Sequence, residues 1–175
     1  MNMNGFLLLI PFFLIRFGLL SFLNKQALPR AAHFAPMRGR EKAAYFVYQL
    51  TTAAIVLYPL FLSIEADFTM LFYAGVLCYV LGLCLCAASV TSFCFPDEKG
   101  LNTRGLYRFS RNPMYVAYFI CFIGVAMLTR SLLLFSFVLI FQFSAHWIIL
   151  AEERWCLETF GLRYQQYMKA VRRYL

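Results

Sequence analysis

Two adjacent carboxylates, Glu152 and Glu153, follow directly on an apolar run that ends at Leu150. Side by side at a membrane surface they repel each other and resist desolvation. They call for a cationic partner, or for a ligand with hydroxyls and an amine. A second polar cluster runs Arg104-Gly105-Leu106-Tyr107 and on to Arg111-Asn112-Pro113-Met114-Tyr115. Pro113 suits the first turn of a helix, with Asn112 before it as N-cap. A helix start offers free backbone N–H groups and a partial positive charge, which suit a carboxylate. Gly105 allows a turn or a close backbone approach to a ligand. Each cluster also has a plain reading: a helix start with basic membrane anchors, and an acidic–basic helix at the membrane surface. Together they make more sense than either alone. A zwitterionic, hydroxyl-bearing cofactor with an aromatic base fits between the helix start and Tyr hydroxyls on one side and two carboxylates on the other.

The elements that must position these groups are read from composition. Of 175 residues, 62% are hydrophobic and only 14% are charged. A soluble domain runs nearer half apolar and a quarter charged, and a globule of this size lacks the interior to hide the excess. Disorder, a fibrous repeat and a secreted disulfide scaffold are excluded on the same ground. A membrane-spanning helix needs about 20 apolar residues. Five stretches qualify or nearly do: 5–23, interrupted by Arg16, then 43–64, 68–95, 114–128 and 132–150. Irregular backbone is not tolerated in lipid, so all are expected to be helices. The third is long enough to tilt or split. The first reads as a span rather than a signal peptide, having no basic start and no small-residue cleavage site. Only Thr129-Arg130-Ser131 separates the last two stretches, which predicts a tight helical hairpin. That hairpin should bring Asn112–Tyr115 beside Glu152–Glu153. Beyond it, Leu157, Phe160, Tyr164, Tyr167, Met168 and Val171 recur at helical spacing, an amphipathic surface helix with a possible break at Gly161. The expectation is an all-α integral membrane protein with about five spans, a C-terminal hairpin and a cytosolic tail helix. It is one domain over 1–175, with three N-terminal spans in 1–95 and the cofactor loop, hairpin and tail in 96–175.

The formal charge is +8. Lys25, Arg30, Arg38, Arg40 and Lys42 lie after the first stretch; Lys99, Arg104, Arg108 and Arg111 precede the fourth; Arg154, Arg163, Lys169, Arg172 and Arg173 belong to the tail. Alternation of five spans puts all fourteen on one side, with Arg130 alone on the other and Arg16 inside the first stretch. The positive-inside rule then places the N-terminus outside and the tail in the cytoplasm. The charge is thereby explained by topology and lipid headgroups, not by nucleic acid. The six cysteines form no CxxC pair and lie almost entirely within apolar stretches, where cysteine acts as a small hydrophobe. His33 and His146 are the only histidines, so a multi-histidine metal site is not expected. Arg16 reads either as a bundle-facing or snorkelling residue or as a contact to a substrate headgroup.

At the polar clusters the sequence resembles the isoprenylcysteine carboxyl methyltransferases and their relatives, the small membrane phospholipid methyltransferases. Their pattern, Leu-x-x-x-Gly-x-Tyr-x-x-x-Arg-His/Asn-Pro-x-Tyr, is met by Leu101, Gly105, Tyr107, Arg111, Asn112, Pro113 and Tyr115. A second block, Glu-Glu then Leu then Phe-Gly-x-x-Tyr-x-x-Tyr, is met by Glu152, Glu153, Leu157, Phe160, Gly161, Tyr164 and Tyr167. The resemblance spans residues 97–172 and implies an S-adenosylmethionine-dependent methyltransferase with a cytosolic cofactor pocket and a lipophilic substrate entering from the bilayer.

Carried over by position, Gly105, Tyr107, Asn112, Pro113 and Tyr115 would line the cofactor pocket, and Glu152 and Glu153 would hold its amine or ribose. Tyr164 and Tyr167 would close it. Arg111 and His146 are the candidates for the reacting centre, His146 standing near where the family often has an arginine. Methyl transfer from a sulfonium is an in-line displacement that needs aligned reactants and excluded water. A carboxylate acceptor needs no base; an amine must lose a proton, for which His146 is the candidate base. The resemblance favours O-methylation of a prenylcysteine-type carboxylate over N- or S-methylation of a phospholipid or small molecule. An NADPH-dependent sterol or enone reductase and a non-enzymatic transporter or assembly subunit are the other readings. No metal is implied, and oligomeric state is not legible.

Overall fold

A computed structural model describes residues 3–97 and 100–174. Lys99, counted above among the basic residues, lies outside the described residues. Among those described, the chain is helical, with no strand beyond two isolated bridge contacts. Four helical runs are long and apolar enough to cross a membrane: Gly5–Leu23, Glu41–Phe61, Met70–Cys94 and Leu132–Phe160. The fourth expected stretch forms a shorter apolar helix, Pro113–Leu128, of 16 residues.

The first run is not a uniform helix. A 3₁₀ turn at Gly5–Leu8 leads into α1 (Leu9–Phe13), a π-helical segment at Leu14–Leu19 and α2 (Leu20–Leu23). Arg16 stands in the π-helical segment. A short α3 (Ala27–Ala32) follows, then α4 (Glu41–Leu57), extended by a 3₁₀ turn at Tyr58–Phe61. The third stretch, expected to tilt or split, is one unbroken helix, α5 (Met70–Cys94), of 25 residues. Thr69 caps it, its Oγ1 accepting from the Phe72 N–H at 3.4 Å.

The outer face is apolar: Phe22, Met70 and Leu132 are each more than 80% exposed. Unless that surface faces lipid it has no favourable environment. The inner face is closely packed. α6 (Pro113–Leu128) lies along α5, and α4 lies along α7 (Leu132–Phe160). Gly82 and Gly124 let the first pair approach: a Cβ on Gly82 would sit 2.4 Å from the Cys121 nitrogen, and one on Gly124 2.4 Å from the Tyr79 nitrogen. Small residues serve this purpose between helices in lipid, where no hydrophobic force drives association.

The predicted short connection from α6 to α7 is present, with Ser131 capping α7 by accepting from the Leu134 N–H at 3.1 Å. The main neighbours differ from the hairpin expected, since α6 packs chiefly on α5 and α7 chiefly on α4. Arg130 in this turn pairs with Asp67, which ties the α6–α7 turn to the segment before α5.

α7 has 29 residues. At about 1.5 Å per residue it exceeds a hydrocarbon core of roughly 30 Å, so its last turns emerge from the apolar zone. Those turns bear Glu152, Glu153 and Arg154. Arg154 donates to both oxygens of Glu41, at 2.6 and 2.8 Å, and anchors the end of α7 to the start of α4. The expected break falls at Gly161, whose φ of +55° with ψ of −130° suits glycine, and α8 (Leu162–Ala170) follows.

Candidate active site

The segment ahead of α6 is built on α5. Gly105 has φ +58°, and a Cβ there would lie 2.2 Å from the Ser92 hydroxyl of α5. Gly105 thus permits a close backbone approach, but to Ser92 rather than to a ligand. A 3₁₀ turn, Gly105–Arg108, then presents Tyr107, which is buried. Pro113 opens α6 at its first turn as the sequence predicts. Asn112 holds the N-cap position, yet its side chain makes no capping bond. Its Nδ2 instead donates to the Arg173 carbonyl at 3.1 Å. The first N–H groups of α6 are left without a side-chain acceptor.

The tail after α8 lies against this segment. The Arg111 N–H donates to the Arg172 carbonyl at 2.9 Å, and the Ser110 hydroxyl to the Arg173 carbonyl at 3.3 Å. The Arg111 guanidinium donates to the carbonyls of Met168 and Val171 at 2.9 and 3.2 Å. It also meets Glu153 at 2.8 Å, both side chains being less than a tenth exposed. Arg173 reaches the same carboxylate from the other side, its Nη2 2.8 Å from Oε2.

The two glutamates therefore differ. Glu153 has both oxygens taken by arginines. Glu152 accepts one hydrogen bond among the described residues, from the Tyr115 hydroxyl at 3.0 Å. Both face a cavity of about 570 Å³, within the range of small-molecule sites. Its wall also includes Tyr107, Asn112, Tyr115, Tyr164 and Tyr167. The Tyr167 hydroxyl donates to the Tyr107 carbonyl at 2.6 Å, which joins α8 to the loop. Burial pushes the phenols of Tyr107, Tyr164 and Tyr167 above their ordinary range, so all three stay neutral near pH 7.

Of the residues singled out in the sequence, Tyr107, Arg111, Asn112, Tyr115, Glu152, Glu153, Tyr164 and Tyr167 come together on this cavity. Gly105, Pro113 and His146 do not line it. Pro113 faces a small separate depression with Leu106 and Phe109. His146 shares a 2.7 Å hydrogen bond with Tyr174, so its place is against the tail. The sequence expectation of a base there correctly put His146 on the helix of the glutamate pair, but helical spacing alone does not say what the tail covers.

Other wall residues went unmarked. Tyr48 of α4, Tyr118 of α6 and Trp155 of α7 line the cavity. Tyr48 and Tyr118 are aromatics in apolar stretches, and nothing in their local pattern separates them from core; Trp155 follows the polar Glu152-Glu153-Arg154 run. Arg16 lines it as well, and the sequence did flag that residue as a charge inside a span.

Residues 70–163 match the family model described as phospholipid methyltransferase. The chain belongs to the phospholipid methyltransferase family. The matched stretch runs from α5 across the polar loop and α6 to the break after α7. It contains both polar clusters up to Gly161. The chain is also 43% identical over 74 residues to a Protein-S-isoprenylcysteine O-methyltransferase of Schizosaccharomyces pombe, a stretch covering 41% of this chain and 30% of that protein. The chain thus matches less than a third of the length of this curated relative. No solved structure matches. Family and helices agree on a methyltransferase-family membrane chain.

Proposed function

We propose that the protein transfers a methyl group from S-adenosylmethionine to a lipophilic acceptor that enters from the bilayer. The observation that carries this reading is the Glu152 carboxylate on the cavity wall, bonded among the described residues to the Tyr115 hydroxyl, in the uncapped first turn of α6. The donor set fits such a cofactor. A carboxylate suits an ammonium or ribose hydroxyls, free N–H groups at a helix start suit a carboxylate, and tyrosine and tryptophan faces suit an aromatic base. Bound there, S-adenosylmethionine supplies an electrophilic methyl on a sulfonium.

The chain's own contribution is placement and exclusion of water. Arg111 and Arg173 hold Glu153 and so fix the end of α7, which sets the Glu152 carboxylate. The Tyr167–Tyr107 bond and the strand-like contact of the tail close the cavity on the polar side. Arg111 has its guanidinium spent on Glu153 and two carbonyls, which makes it a positioning residue. The basic segments gather at the cavity's end of the bundle, so the positive-inside rule puts the cofactor mouth in the cytoplasm and the N-terminus outside. Residues 1–95 serve as scaffold and acceptor entrance, and 96–175 as the cofactor-holding part of one membrane domain. The relative's name supports a prenylcysteine carboxylate as acceptor; the family name supports a phospholipid amine.

Isothermal titration of the protein in lipid nanodiscs with S-adenosylmethionine and with NADPH tests the reading. Binding of the first alone is expected; binding of NADPH alone would replace methyl transfer with reduction, and binding of neither would remove the enzymatic reading.

A further inference from the structure

The one charge inside the first span belongs to a residue of the cavity wall. Arg16 lies on the π-helical segment Leu14–Leu19 and lines the cavity. A π-helical turn re-aims side chains and recurs at functional sites. One arm of the guanidinium is engaged: Nη2 donates to the Ala31 carbonyl of α3 at 3.0 Å. The other arm, Nη1, is fully buried and has no hydrogen-bond partner. No carboxylate among the described residues lies within ion-pair distance of it. The faces of Tyr118 and Phe17 lie 5.8 and 5.6 Å from the guanidinium carbon, and cation–π contact offsets only part of a buried charge.

A guanidinium held in an apolar span with two N–H groups unused is costly, and it is retained where it meets an anion. Glu152 does not serve: Tyr115 and Tyr118 of α6 stand in the same wall, Tyr115 bonded to Glu152 and Tyr118 under Arg16. The cavity therefore presents a cation at one station and an anion at another, and the two do not neutralise each other. We propose that Arg16 holds the carboxylate of the methyl acceptor, its guanidinium donating to a carboxylate oxygen, and so selects anionic over neutral lipophiles. The proposal rests on the methyl-transfer reading of the same cavity. A carboxylate also belongs to S-adenosylmethionine itself, but the start of α6 already offers that group a site.

The test uses the protein in nanodiscs and two probes, N-acetyl-S-farnesylcysteine and its carboxamide, which differ only in charge at the acceptor end. The wild-type protein is expected to bind the acid at least tenfold more tightly than the amide. Arg16→Leu is expected to lose that preference while keeping its affinity for S-adenosylmethionine within about twofold, which also shows that it folds. Arg16→Lys is expected to keep part of the preference, because an ammonium retains the charge but not the fork. An unchanged preference in Arg16→Leu, or none in the wild type, overturns the proposal. Lost cofactor affinity with an unchanged acid preference also overturns it, and assigns Arg16 to the cofactor's carboxylate instead. Failure of the wild type to bind S-adenosylmethionine would remove the underlying methyl-transfer reading, while the acid–amide comparison would still report on Arg16 as an anion site.

Discussion

Arg173 folds back on Glu153 and donates to both oxygens of its carboxylate, with Nε 3.1 Å from each and Nη2 2.8 Å from Oε2. The contact crosses the break at Gly161 and converts a polar tail into part of the cavity wall. The Arg111 side chain completes the arrangement, so the carboxylate lies between two guanidinium groups.

Glu153→Gln should strand two arginines in a buried place. The expected loss is about 3–5 kcal/mol, the cost of breaking a buried pair by removing one partner. Arg173→Ala should cost less, about 1–2 kcal/mol, because that side chain is 32% exposed and its contact is screened. Thermal unfolding in nanodiscs gives the ranking, and limited proteolysis should cut the tail of the Arg173 variant first. Equal melting of both variants would refute the clamp.

Glu152→Gln should behave in the opposite way. Among the described residues the side chain has one hydrogen-bond partner, so the fold should survive. The affinity for S-adenosylmethionine should fall at least tenfold, about 1.4 kcal/mol. Titration calorimetry beside a thermal melt separates the two glutamates. A Glu152→Gln protein that binds the cofactor as the wild type does would displace the proposed cofactor site.

His146 is 2.7 Å from the Tyr174 hydroxyl and does not line the cavity. His146→Ala should therefore retain methyl transfer within about threefold and keep the wild-type pH profile, with Tyr174→Phe giving the same small loss. A base would instead show activity that falls as the imidazole gains its proton, and His146→Ala would abolish that limb. Rate against pH for the three proteins decides the matter.

Tyr107, Tyr164 and Tyr167 have phenols raised above their ordinary value by burial. Folding thus favours the neutral form, so the stability they contribute is complete below about pH 10 and is lost as pH rises through their folded values. α8 should stay docked up to that point and release above it. Phenolate absorbance in the near ultraviolet, compared between the wild type and Tyr164→Phe, should rise together with tail proteolysis. Ionisation of Tyr164 at ordinary pH with the tail still docked would contradict this.

What was legible beforehand follows from the physics of each signal. The long apolar runs stood out because bilayer thickness sets helix length, and Gly161 and Pro113 stood out because their backbone limits are local. The division of labour between Glu152 and Glu153 was not legible. They are neighbours of the same type, and what separates them is Arg111 and Arg173, distant in sequence and brought in by packing. Gly105 was visible as a glycine, but Ser92, the reason for it, lies on another helix. His146 was legible as a residue of the helix that carries the glutamates, but its contact with Tyr174 was not, because the tail that covers it has no periodicity to register. Arg16 was conspicuous as a charge in a span; the π-helical turn that aims it leaves no mark in hydrophobic patterning.

The cavity draws on segments far apart in sequence, Arg16 in the first span and Tyr167 on α8. During synthesis, α5 and α6 can pair through Gly82 and Gly124 as soon as both are in the membrane. The compartment enclosed by α8 cannot exist until α8 itself has been translated, and closing it means joining segments of great sequence separation, a slow kind of contact. Until then Glu152 and Arg16 stand uncovered in a half-built bundle. A slow step in maturation, at which the protein first becomes able to retain a ligand, is therefore inherent in the topology.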